Sequence, residues 1–358
     1  MGRTWSIPVI GIVNLETLPA PTTTECCRMF WYFLLLVGGC VLLYWGAIWL
    51  VQGASEIALN LHISKAIIGL SLVAFGTSAP ELIVNLIAAY QGQTGFALTN
   101  VSGSNLTNLL VGFGLCGVIT GLLIHWRSFL YDLSALVISA LIPVGIMLLM
   151  LLQGKEPHLP FWSVLPLVAG LAAYLFTLAR RGMRTEPKET DGKPSRPIAI
   201  SVILFLLGAI TLYGGGQFVL DAAVQIAKHF QIDASLVGLT LVAAGTSIPD
   251  AIASIVAARR GEHDIAVGNL LGSNIANILA VITGTLLASR VSQSEIQLAA
   301  GTLKASHSIL IDYVMIVAAS LVFFGIAVRW GRITRVSGLV MIAVYLCYMG
   351  LRVYFELS

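Results

Sequence analysis

Charge is what this sequence has least of. Asp, Glu, Lys and Arg make up 10% of its 358 residues, 57% are hydrophobic, and mean hydropathy is +0.90; a soluble chain carries roughly a quarter charged residues. That scarcity excludes a water-soluble globular protein, and no nucleic-acid partner is expected. Five cysteines (Cys26, Cys27, Cys40, Cys116, Cys347) lack metal-ligand spacing and read as packing residues, and the six histidines are scattered. A resident soft-metal or imidazole centre is therefore not expected, nor is any cofactor. The one glycine fingerprint, Gly112 to Gly117 ("GFGLCG"), follows no strand and sits inside an apolar run, where small residues serve helix contact.

What is present is long apolar runs. Ten stretches approach the roughly 20 residues needed to cross a bilayer: near 30–52, 66–91, 97–123, 129–152, 160–180, 198–221, 235–258, 265–288, 307–328 and 334–354. They are too uniformly apolar for barrel strands, so helices are the remaining way to satisfy the backbone in lipid. With the N-terminus outside, thirteen of the twenty Lys and Arg fall on the inner side, as the positive-inside tendency favours. An inner-membrane location follows as an expectation. The first 28 residues lack the layout of a cleaved leader, so the first spanning helix is expected to direct targeting. "MGRTWS" matches a myristoylation pattern, which an outward-facing end makes irrelevant.

The chain is one unit written twice. "GLSLVAFGTSAPELIVNLIA" from Gly69 and "GLTLVAAGTSIPDAIASIVA" from Gly238 share eleven of twenty positions at an offset of 169, and the same offset pairs "GSNLTN" from Gly103 with "GSNIAN" from Gly272. An offset of five helices turns the second copy upside down, as in many secondary transporters. The expected organisation is an N-terminal extension of unknown role (1–28), a first five-helix half (29–180, repeat 54–120), a cytoplasmic linker (181–197) and a second half (198–358, repeat 223–289). The fold class is an all-α integral membrane protein with broken helices at the motifs.

Each repeat places a proline and then an acid at membrane depth: Pro80 and Glu81, Pro249 and Asp250. Proline removes an amide donor and clashes with the preceding turn, so the helices are expected to break near "GTSAP" and "GTSIP". The break exposes carbonyls of Ala74 and Ala243 beside the hydroxyls of Thr77, Ser78, Thr246 and Ser247. Two intramembrane carboxylates are expensive unless compensated, and one divalent cation compensates both. Oxygen-only ligation favours hard cations, Ca²⁺ over Mg²⁺, with several Na⁺ as an alternative load. Ser104 and Ser273 add neutral oxygens at a second small-residue break. Asn108 and Asn277 are candidates for ion contact or for helix-bridging hydrogen bonds, and Asn105 and Asn274 for tying down freed backbone. Asp132, Asp221 and Asp312 read as interfacial caps. Glu56 has no acidic repeat mate.

These paired motifs closely resemble the two alpha-repeats of the calcium/cation antiporter superfamily, in particular prokaryotic sodium/calcium exchangers. The resemblance implies that Glu81 and Asp250 are the central calcium ligands. It implies backbone and hydroxyl ligands at Ala74, Thr77, Ser78, Ser104, Ala243, Thr246, Ser247 and Ser273, with polar partners at Asn108 and Asn277. Potassium-dependent relatives have an aspartate where Asn277 stands, so potassium co-transport is not expected. The implied function is Na⁺/Ca²⁺ antiport by alternating access, with the first and sixth helices as the sliding pair and H⁺/Ca²⁺ antiport as the alternative. An intramembrane protease dyad is the rival outside transport.

Overall fold

The computed structural model describes residues 25–182, 194–229, 243–291 and 303–357. Ten helices follow one another: α1 (Glu25–Leu61), α2 (Lys65–Tyr90), α3 (Thr94–Thr120), α4 (Trp126–Leu152), α5 (Val164–Gly182), α6 (Ile198–His229), α7 (Ile248–Arg259), α8 (His263–Val291), α9 (Leu303–Trp330) and α10 (Arg335–Leu357). A short turn of helix, Ala243–Thr246, precedes α7. Among the described residues nine helices are long and apolar enough to span a membrane. The start of the seventh expected span, near 235–242, and most of the extension 1–28 lie outside the described residues. Strands are absent among the described residues apart from one isolated bridge, Leu123 with Arg332, as a chain that must satisfy its backbone within lipid requires.

An inverted pair of five-helix units puts every odd-numbered connection on one face, and the contacts agree. Lys65 of the α1–α2 connection pairs with Glu262 of α7–α8 at 2.9 Å. His125 of α3–α4 meets Asp264 at 2.8 Å. The Leu123–Arg332 bridge joins α3–α4 to α9–α10, and Ser195 before α6 donates its amide to Glu56 at 2.9 Å.

The helix α8 is almost entirely buried, and α2, α3 and α7 pack around it. In membranes helices associate by close van der Waals contact, which small residues permit. A Cβ added to Gly272 would lie 2.6 Å from the Leu70 carbonyl, so α8 and α2 touch backbone to backbone. The long helices α1 and α6 form a second tight pair. Gly39, Gly46 and Gly53, seven residues apart, face α6, and a Cβ on Gly208 of α6 would fall 2.3 Å from the Leu50 amide nitrogen.

The outer helices α4, α5, α9 and α10 turn large apolar side chains such as Ile138, Leu165, Val322 and Val336 outward. Here Asp132 and Asp312 depart from the expectation of interfacial caps. Asp132 lies nearly two turns into α4, fully buried, and the Arg181 Nη1 at the end of α5 donates to both of its oxygens at 2.9 Å. Asp312 lies inside α9 and accepts from Arg352 Nε of α10 at 3.0 Å, from Ser102 Oγ at 3.2 Å and from the Tyr348 hydroxyl. Each half thus ties its fourth helix to its fifth with a buried acid and an arginine. These two clamps sit where α5 and α10, the spanning helices with the least buried surface, need an anchor.

Gly208→Ala is expected to lower stability by about 1–3 kcal/mol through overpacking, whereas Gly214→Ala, with nothing near its Cβ, stays within about 0.5 kcal/mol. Thermal unfolding in detergent separates the two. Asp132→Ala leaves Arg181 without its carboxylate and is expected to cost about 3–5 kcal/mol in the same measurement.

Candidate functional site

The two proline motifs fold differently. In the first repeat α2 continues through Pro80, and its irregularity lies two turns earlier, in a π-helical turn over Gly69–Val73 where the Ala74 amide reaches back to the Gly69 carbonyl. The expected break at "GTSAP" is therefore absent, and a widened turn precedes the motif. In the second repeat the helix does break, at Ser247, and Pro249 sits in the first turn of α7, where a missing amide hydrogen is no loss. The "GSN" segments also widen instead of breaking. Residues Thr107–Gly112 of α3 and Asn277–Val281 of α8 are π-helical, a distortion that recurs at functional sites.

These irregular turns aim polar groups inward. Asp250 is fully buried at the start of α7; its carboxylate accepts from Asn108 Nδ2 of α3 at 2.6 Å and from Ser273 Oγ of α8 at 3.0 Å. Ser273 also faces the Ala74 carbonyl of α2 at 3.5 Å. Thr77 contacts the Val73 and Ala74 carbonyls at 3.0 and 3.2 Å and bonds Asn269 Oδ1 at 2.9 Å. Ser104 and Thr246 share a hydrogen bond of 3.2 Å between α3 and the turn before α7. Four helices and both repeats thus meet around Asp250.

Glu81 is fully buried too, and it lies within electrostatic range of Asp250. Among the described residues neither of its carboxylate oxygens has a hydrogen-bond partner. The same holds for Ser78 Oγ, Asn108 Oδ1 and both side-chain polar atoms of Asn277, all buried. A buried polar atom left unsatisfied costs about 1–3 kcal/mol, and a charged one more. A hard cation fits this set: one acid already braced by neutral donors, a second with none, and hydroxyl and amide oxygens between them.

Of the sequence-derived candidates, Ala74, Thr77, Ser104, Asn108, Thr246, Asp250 and Ser273 are joined by direct contacts. Glu81 and Ser78 are buried on α2, Ser247 is buried at the break before α7, and Asn277 is buried in the α8 π turn. Ala243 opens the turn preceding α7. Asn274 donates to the Leu270 carbonyl at 2.7 Å, as expected for a backbone tie, whereas Asn105 has no partner.

Asn269 was not anticipated. It accepts from Thr77 and donates to the Asp250 carbonyl at 3.1 Å and to Ser254 Oγ at 2.9 Å, and so holds the two motifs in register. On the other side Asn85, the repeat mate of Ser254, donates to the Glu81 carbonyl at 2.6 Å. The signal was available, because the 169 offset pairs Asn269 with Asn100, three residues before each "GSN".

Comparison with known proteins agrees with this geometry. A profile of the family described as sodium/calcium exchanger protein matches residues 31–180 and 200–354. CaxA of Alkalimonas amylolytica is 33% identical over 87% of this chain and 95% of its own length. The sodium/calcium exchanger MaX1 of Methanosarcina acetivorans is 27% identical over 88% of this chain and 97% of its own. Among solved structures, the sodium-calcium exchanger NCX_Mj soaked with Na⁺ and Sr²⁺ superimposes with a TM-score of 0.72 at 26% identity, covering 90% of this chain and 99% of that one. Relatives and structural neighbours of this kind are transporters, which sets aside the protease dyad. With near-complete coverage by the profile, the chain belongs to the sodium/calcium exchanger family.

Proposed function

We propose that this protein is an electrogenic Na⁺/Ca²⁺ antiporter that works by alternating access. One Ca²⁺ is held between Glu81 and Asp250, with further oxygens from Ala74, Thr77, Ser78, Ser104, Ala243, Thr246, Ser247 and Ser273 and from the Asn108 and Asn277 amides. About three Na⁺ replace it on the same and adjacent oxygens, as the family resemblance implies. The observation that carries this reading is the Glu81 carboxylate, enclosed without a donor among the described residues and within the field of a second buried acid. Exchange of three sodium for two calcium charges moves one net charge, worth about 2.3 kcal/mol per 100 mV. An inside-negative potential then drives calcium outward, with the N-terminus outside and the cation-rich face in the cytoplasm of a prokaryotic inner membrane.

The glycine-matched pair α1 and α6 supports a unit that slides as one body across the α2, α3, α7 and α8 bundle. Its inner end meets the α7–α8 connection through a small polar contact, Ser55 to Glu262 at 3.1 Å.

A second reading, H⁺/Ca²⁺ antiport, is favoured by the same Glu81. A carboxyl with no donor at either oxygen is suited to carrying a proton. Proteoliposomes decide between the two. An outward Na⁺ gradient is expected to drive ⁴⁵Ca²⁺ uptake that survives collapse of the pH gradient; uptake that follows the pH gradient and ignores Na⁺ establishes proton coupling instead. Loss of the Asn108 bond in Asn108→Ala removes a charge-assisted hydrogen bond worth about 1.5–3 kcal/mol. That variant is expected to weaken apparent Ca²⁺ affinity by about tenfold or more in the flux assay, with Glu81→Gln and Asp250→Asn both inactive.

A further inference from the structure

The helix α9 packs on α4 and the first part of α3, and α10 packs on the last part of α3; joined by the short connection 331–334, the two diverge away from the face that carries the odd-numbered connections. Between them runs a cleft of about 860 Å³, open to the lipid side and walled by Met315, Val322, Ile326, Val340 and Met341. Gly325 lines it with nothing within 4 Å of its Cβ position, which keeps the channel open. The cleft does not end in apolar residues. At its mouth stand Arg329, Trp330 and Arg332, with Trp330 64% exposed. Neither guanidinium has a side-chain hydrogen bond or ion pair among the described residues, unlike Arg181 and Arg352 at the buried clamps.

We propose that this cleft binds an anionic phospholipid, with one acyl chain along the α9–α10 groove and the phosphate between Arg329 and Arg332. The match is of shape and of charge. An apolar slot of this size suits an alkyl chain and gives a polar ligand nothing to bond. Two unpartnered cations and an exposed indole at the interfacial end suit a headgroup phosphate. The start of α10, whose capping residues Thr334 and Ser337 also line the cleft, adds a favourable field for an anion. The site is not dictated by the inverted repeat. The equivalent α4–α5 connection carries Lys155 beside Glu156 in place of two arginines.

The position gives the lipid a means to act on transport. The floor of the cleft includes Leu110, which belongs to the π turn Thr107–Gly112 that presents Asn108 to Asp250. Thr107 of that turn bonds the Tyr345 hydroxyl of α10 at 3.0 Å. A chain filling the cleft presses on Leu110 and so on that turn.

Native mass spectrometry of the full-length protein, exchanged into detergent with phosphatidylglycerol or phosphatidylcholine, tests the proposal. Wild type is expected to retain phosphatidylglycerol over phosphatidylcholine. Each arginine contributes about fivefold in lipid affinity, so R329Q/R332Q loses that preference. Gly325→Trp, which fills the groove and leaves both arginines, is expected to lower retention of both lipids. Thermal unfolding confirms that each variant is folded. Equal retention of the two lipids by wild type, or undiminished phosphatidylglycerol on R329Q/R332Q, overturns the proposal. So does unchanged lipid retention in folded Gly325→Trp, because the acyl chain then lies elsewhere.

Discussion

Two carboxylates enclosed at membrane depth repel each other and have lost their water, and the surrounding bundle is arranged about that difficulty. Coulomb repulsion and desolvation both grow as the effective dielectric falls, so each acid needs either donors or a cation. The protein treats them unequally. Asp250 receives an amide from α3 of the other repeat and a hydroxyl from α8 of its own, whereas among the described residues Glu81 receives none. The repeat is symmetric in sequence and asymmetric in how its acids are satisfied.

Presenting those groups requires irregular backbone inside an otherwise regular bundle. Among the described residues three π turns and one break at Ser247 provide it, and the first π turn packs on α8 at backbone contact. Close approach through glycine replaces the hydrophobic driving force that lipid removes. The outer helices have little buried area to hold them, and a buried acid–arginine clamp ties each fifth helix to its fourth. The same packing logic keeps α1 and α6 together, a pair closely fitted internally that also packs on α7 and meets Glu262 through Ser55.

Much of this was legible in the residues. Long apolar runs located the helices, and the gapless 169 offset gave the inversion, the paired acids and the hydroxyls around them. The continuous helix at Pro80 is not legible, because proline chemistry alone does not say whether a helix stops or continues, and a π turn has no compositional mark. Asp132 and Asp312 read as caps in the sequence because they stand near the ends of apolar runs; their arginines lie on another helix and the pairs do not keep the repeat offset, so nothing local announces them. Asn269 was legible but overlooked, as the repeat alignment contains it. Its role comes from bridging to Thr77 across the bundle, a contact of long sequence separation that only the fold supplies.

The account stands or falls on a single dication shared by the two acids. Calorimetric titration of Ca²⁺ into the Na⁺-free detergent-solubilised protein measures this directly. One Ca²⁺ per chain is expected, absent in Glu81→Gln and in Asp250→Asn alike and displaced from wild type by added Na⁺. Calcium binding that survives removal of either carboxylate with unchanged stoichiometry and affinity would contradict it.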